Sequence, residues 1–93
     1  MKIVINGDYG GFGYGVAAQY RDFVQKHEWM DYEEGRTAPD LIDFVENHPD
    51  ECGDLCIATI PDNSTDWEID EYDGSESIIY VVDGKIYRTN GDE

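Results

Sequence analysis

Hydrophobic and polar positions follow different periods in successive parts of the chain. Residues 2–6 (KIVIN) are a continuous β-branched run closed by Gly7, which predicts a strand covered on both faces. Residues 16–27 place apolar side chains at 16, 17, 20, 23, 24 and 27, opposite Arg21, Asp22, Gln25 and Lys26; that spacing predicts a helix. Residues 28–36 mix Trp29, Met30 and Tyr32 with four acids and read as a loop with room for one helical turn. Residues 37–48 predict a second helix, with Thr37 as N-cap, Asp40 three residues on, and Pro39 in the first turn. Its buried stripe is Leu41, Phe44, Val45 and His48, its wet side Asp43, Glu46 and Asn47, and Pro49 ends it.

The rest of the chain reads as strands at 55–60, 66–72, 77–82 and 85–89. Asp73-Gly74 and Asp83-Gly84 provide tight hairpin turns, and residues 62–65 a polar turn. The order β-α-α-β-β-β-β predicts an α+β, two-layer domain. It would hold an antiparallel sheet of about five strands, the first inserted among the others, with two helices on one face. Ninety-three residues suit a single small acidic domain, whose last residues, 90–93, are expected to fray. No run reaches the length of a membrane-spanning helix or a secretory leader, so a cytoplasmic location with reduced cysteines is the expectation.

Charge changes this picture more than composition does. The formal net charge is −16. Residues 28–76 hold 17 acidic side chains against the single Arg36, so this segment alone carries −16, and the two ends of the chain are balanced. Such a surface is repelled by nucleic acid and anionic membranes and attracted to basic protein surfaces, the largest of which bind nucleic acid. Twelve aromatic residues (13%) supply the apolar area that a folded core needs despite the charge.

Candidate chemistry is sparse. Residues 7–15 (GDYGGFGYG) stand between a strand and a helix, where a phosphate-binding loop would lie. Gly11, Gly13 and Gly15 make G-x-G-x-G rather than the dinucleotide fingerprint, and Val16-Ala17 replace the Lys-Ser/Thr of a P-loop. A tight turn with Tyr9, Phe12 and Tyr14 tucked against the sheet is the preferred reading. His48, Cys52 and Cys56 give H-x3-C-x3-C, three residues of types that bind zinc at a spacing that matches no common zinc module. They define the alternative expectation, a small metal- or ligand-binding accessory protein. Asp62, Asn63, Asp66 and Glu68 lack the glycine and register of a calcium loop. No acid pair joins a nucleophile in an arrangement that favours an enzyme.

Residues 66–76 (DWEIDEYDGSE) are the densest acidic stretch. Trp67 and Ile69 alternate with Asp66, Glu68 and Asp70, so the carboxylates share one strand face at about 6.5–7 Å intervals. Phosphates along a nucleic-acid strand are spaced on a similar scale, about 3.4 Å of axis per charge. Asp73 and Glu76 continue the charge around the turn, Asp40, Asp43 and Glu46 add a helical row, and Glu71 breaks the alternation as a candidate bulge. These nine acids are the candidate partner-binding set.

Residues 1–6 followed by Tyr9-Gly10-Gly11-Phe12-Gly13 resemble the MKI-x-IN-x-x-YGGFG start of a family of small phage and prophage proteins. The likeness continues at residues 36–46 (RTAPDLIDFVE), at Ile60-Pro61-Asp62 and at residues 67–76, where IDEYDGSE stands for the family's IEEYDG-x-E. The cysteines lie outside this pattern, and the segment after Glu76 departs from the family's short ending. The resemblance implies a phage origin and the cytoplasm of an infected or lysogenic bacterium. It brings in a class of non-enzymatic inhibitors that includes anti-CRISPR proteins and DNA mimics. The expected partner is a CRISPR effector or another host nuclease with a basic groove, with no cofactor required.

Overall fold

The computed structural model describes residues 1–8 and 10–90. Among these, β1 (Lys2–Asn6) pairs antiparallel with β2 (Leu55–Thr59), Ile3 opposite Ala58 and Ile5 opposite Cys56. β3 (Asp66–Tyr72), β4 (Ser75–Val82) and β5 (Lys85–Thr89) form a separate antiparallel meander. Helices α1 (Arg21–Glu28), α2 (Tyr32–Gly35) and α3 (Pro39–Asn47) fill the segment between β1 and β2. The protein is α+β, and among the described residues its five strands come in the predicted order but divide between two sheets.

The division has its cause on the outer edge of β1. The Val4 N–H donates to the Arg36 carbonyl at 2.8 Å, and the Asn6 N–H donates to Glu76 Oε1 at 2.7 Å. A loop carbonyl and a carboxylate thus occupy the positions that a neighbouring strand would fill, so β1 has no open ladder for the meander to join.

Alternation along β1 and β2 then sends side chains into two cores. Val4 and Leu55 join Val16, Val24, Leu41, Phe44, Val45 and Cys52 beneath the helices. Ile3, Ile5 and Ala58 join Ile60 and Ile78 beneath the meander, with Trp67, Ile69 and Tyr80 packed at the margin. The two-stranded sheet is therefore covered on both faces, as the unbroken apolar run of β1 predicts, and the elements stack in three layers rather than two.

Element boundaries moved where backbone hydrogen bonds were diverted. Residues 16 and 17 lie outside α1: the glycine-rich turn runs on through Gly15 (φ 83°), and the Ala17 N–H donates to the Glu51 carbonyl at 2.9 Å. A 3-10 turn, Ala18–Tyr20, leads into the helix instead. α2 is the single turn anticipated, capped by Asp31, whose Oδ1 accepts from the Glu34 N–H at 2.9 Å. Thr37 does not cap α3. Proline at 39 holds Ala38 extended (ψ 127°) in the N-cap position, and the Thr37 hydroxyl donates to the Glu33 carbonyl.

Both hairpin turns have positive φ at both corner positions, 52° and 90° at Asp73-Gly74 and 51° and 76° at Asp83-Gly84, the backbone signature of a type I′ turn. Their surroundings differ. The β3–β4 turn presses against the glycine-rich loop, and the Gly10 N–H donates to the Asp73 carbonyl at 3.3 Å. A Cβ on Gly74 would lie 2.3 Å from the Gly11 nitrogen, whereas one on Gly84 would meet nothing within 4 Å. Gly84→Ala is expected to cost only the left-handed backbone penalty, about 1–2 kcal/mol. Gly74→Ala should cost more, because the two backbones must also separate. Urea denaturation of the two variants measures the difference, and equal losses would refute the close packing of turn and loop.

Candidate partner-binding surface

The alternation read from residues 66–72 is realised in β3. Trp67 and Ile69 face the inner core, while Asp66, Glu68 and Asp70 point to the opposite, solvent-facing side. The register supplies what stands beside them. Asp66 lies opposite Val81 and Val81 opposite Ile86; Glu68 lies opposite Ile79 and Ile79 opposite Arg88; Asp70 lies opposite Ser77. The outer face of the meander is thus an acidic column on β3, an aliphatic column on β4, and Ile86 with Arg88 on β5. A concavity of about 170 Å³ opens there between Asp66, Trp67, Glu68, Ile79, Val81 and Ile86.

The nine predicted partner-binding acids do not form one surface of equivalent charges. Glu76 is buried, 6% exposed. β4 starts at Ser75, two residues earlier than the β-prone run at 77–82 predicts, which makes Glu76 a strand residue in phase with Ile78 and facing inward. Its carboxylate takes a two-pronged contact from Arg36, Nη1 to Oε1 at 2.8 Å and Nη2 to Oε2 at 3.1 Å. Arg36 is 4% exposed and lies over the Phe12 ring at 3.8 Å. Assigning Glu76 to a partner surface is therefore corrected: its charge is matched internally.

Others are exposed but engaged. Asp70 accepts from Arg88 at 2.9 Å, and the same nitrogen donates to the Ser77 hydroxyl at 2.6 Å. On α3, Asp40 Oδ2 lies 3.2 Å from Nε2 of the buried His27 and 3.9 Å from Lys26. Asp43 accepts from the Asn47 side chain at 2.9 Å, and Glu46 pairs with Lys2 at 3.0 Å. Asp66 Oδ1 accepts from the Trp67 backbone N–H at 2.9 Å. Glu68, Glu71 and Asp73 enter no ion pair among the described residues. Glu71 is not a bulge, because the ladder continues unbroken through Glu71 opposite Glu76.

Asp66 and Glu68 are thus the exposed, unmatched acids beside the aliphatic column. The acids alone did not point to that column. Its signal was Ile79 and Val81 in alternation with the inward Ile78 and Tyr80, legible once the register is known.

The structure does not gather His48, Cys52 and Cys56, and among the described residues no three His, Cys, Asp or Glu side chains are placed to hold a metal ion together. His48 stacks on Phe44 with ring centroids 5.0 Å apart, and its Nδ1 lies 3.1 Å from the Phe44 carbonyl. Cys52 is buried in the helix-side core. No disulfide joins the two cysteines. In the glycine-rich loop, Phe12 packs inward over Arg36 but Tyr14 is exposed, contrary to its predicted tucking; Tyr9 lies outside the described residues. No described helix is long and apolar enough to cross a membrane.

Comparison with family models, curated proteins and solved structures yields no match.

Burial raises the Cys52 thiol pKa, with the Asp50 carboxylate acting in the same direction and the backbone hydrogen bond opposing both. A raised folded-state pKa means that this contribution to stability is complete below the unfolded thiol pKa and is lost as pH rises through the folded value. Stability should therefore fall in the alkaline range, and Cys52→Ala should remove that part of the slope. Urea midpoints measured from pH 7 to pH 10 test this, an unchanged slope being the contrary result.

Proposed function

We propose that the chain is a phage-encoded inhibitor of a host defence nuclease, of the anti-CRISPR, nucleic-acid-mimic type, and that it acts by occupying a basic groove. The observation that carries this reading is the exposed β3 column. Asp66 and Glu68 stand two residues apart on a strand whose other face is anchored by Trp67 and Ile69. Carboxylates fixed on a paired strand are held at a set spacing, and less side-chain ordering is then needed on binding than for acids on a loop.

The distribution of charge supports the same partner class. The chain carries −16 overall, all of it within residues 28–76. A groove built to hold phosphates is complementary to such a surface, and long-range attraction speeds encounter. The resemblance to small phage and prophage proteins agrees in origin. Inhibition by occupation needs no catalytic group, and the reading places none.

Binding of this kind weakens with salt, because exposed charges are screened over about 8 Å at physiological ionic strength. A pull-down of the tagged protein from host lysate at low and high salt should recover a nucleic-acid-binding nuclease that is released as salt rises. Asp66→Lys combined with Glu68→Lys should abolish recovery and restore nuclease activity. Recovery that is indifferent to both salt and the double substitution would reject the acidic-strand mechanism.

A further inference from the structure

We infer that the outer face of the meander docks a Lys- or Arg-bearing segment of a partner protein, through the aliphatic stems of its side chains as well as their charged heads. The inference rests on the proposed inhibitor reading and gives its contact a defined chemistry.

Three columns lie side by side on this face. The aliphatic column of Ile79 and Val81 is half-buried, and Ile86 beside it is 74% exposed. No described element covers them, although the opposite face of the same sheet forms a core. The column is flanked by Asp66 and Glu68, each directly across from an aliphatic residue: Asp66 from Val81, Glu68 from Ile79.

A pure phosphate mimic would present an uninterrupted acidic row. This face does not, because Arg88 reaches across Ser77 to neutralise Asp70. What remains is an apolar floor with two carboxylates on one side, around a hollow of about 170 Å³. That arrangement complements a long cationic side chain, whose methylene stem lies on apolar surface while its head stays at the polar rim. Guanidinium or ammonium groups reaching Asp66 and Glu68 would form charge-assisted hydrogen bonds. A second copy of this chain is a poor occupant, since each copy brings a net charge of −16 and like charges oppose the approach.

The test uses an acetylated, amidated tri-arginine peptide as the probe, titrated into the full chain and followed by amide NMR shifts. Saturable shifts are expected at Asp66, Glu68, Ile79, Val81 and Ile86. Ile86→Ser leaves every charge in place and alters an exposed position, and should weaken the peptide about fivefold, as expected for losing roughly 40 Å² of apolar contact. Glu68→Gln should weaken it more than Asp43→Asn, which removes the same charge from α3. Shifts spread over all acidic segments, an affinity indifferent to Ile86→Ser, or no saturable binding would overturn the inference, as would concentration-dependent self-association through the same residues. The inhibitor reading fails separately. Peptide docking here without any nuclease inhibited rejects only that reading, while inhibition insensitive to Ile86→Ser rejects only the aliphatic contact.

Discussion

The buried pair of Arg36 and Glu76 is the contact on which the arrangement of this protein depends. It joins the segment before α3 to the start of β4, and both residues also bond to β1. The Arg36 Nη1 donates to the Val4 carbonyl at 3.3 Å, and Glu76 accepts from the Asn6 N–H at 2.7 Å. Asn6 extends the network through its side chain, which donates to the Gly74 carbonyl at 2.6 Å. Helical layer, strand pair and meander are thus joined by one connected set of hydrogen bonds, in which the buried Asn6 Oδ1 has no partner among the described residues. In a core this small, two buried charges are tolerated only because each meets the other and nearby backbone groups.

That network gives physical content to the resemblance patches. The KIVIN run contributes Asn6, the glycine-rich stretch contributes Phe12 over the Arg36 guanidinium, residues 36–46 begin with Arg36, and the EYDGSE stretch brings Gly74 and Glu76. Far apart in sequence, these residues meet in one place. Such a pattern can therefore be fixed by assembly of the fold, and under the proposed function the binding role falls to acids outside the network.

Local features were legible because their causes are local. Alternation in β3, the two Asp-Gly turns, the single turn of α2 and the stripe of α3 each follow from neighbouring residues. The partition into two sheets was not legible, because it turns on which groups occupy the outer edge of β1, and these come from Arg36 and Glu76. Nor was the burial of Glu76, one acid in a run of acids. The available signal was that Arg36 is the only basic residue between positions 28 and 76, so a cation buried within that segment calls for one of its acids as counter-charge. Of the candidate surface, Asp66 and Glu68 could be read directly, whereas the aliphatic column beside them required the β3–β4–β5 register.

The acids of one hairpin divide into a structural one and an exposed pair, and unfolding free energies test that division most directly. Glu76→Gln, which leaves Arg36 buried without its counter-charge, should lower stability by about 3–5 kcal/mol. Asp66→Asn with Glu68→Gln should change it by no more than about 0.5 kcal/mol, or raise it slightly by relieving self-repulsion. Urea denaturation of the two variants beside the parent chain gives both numbers. Similar losses in the two, or a Glu76→Gln variant as stable as the parent, would contradict it.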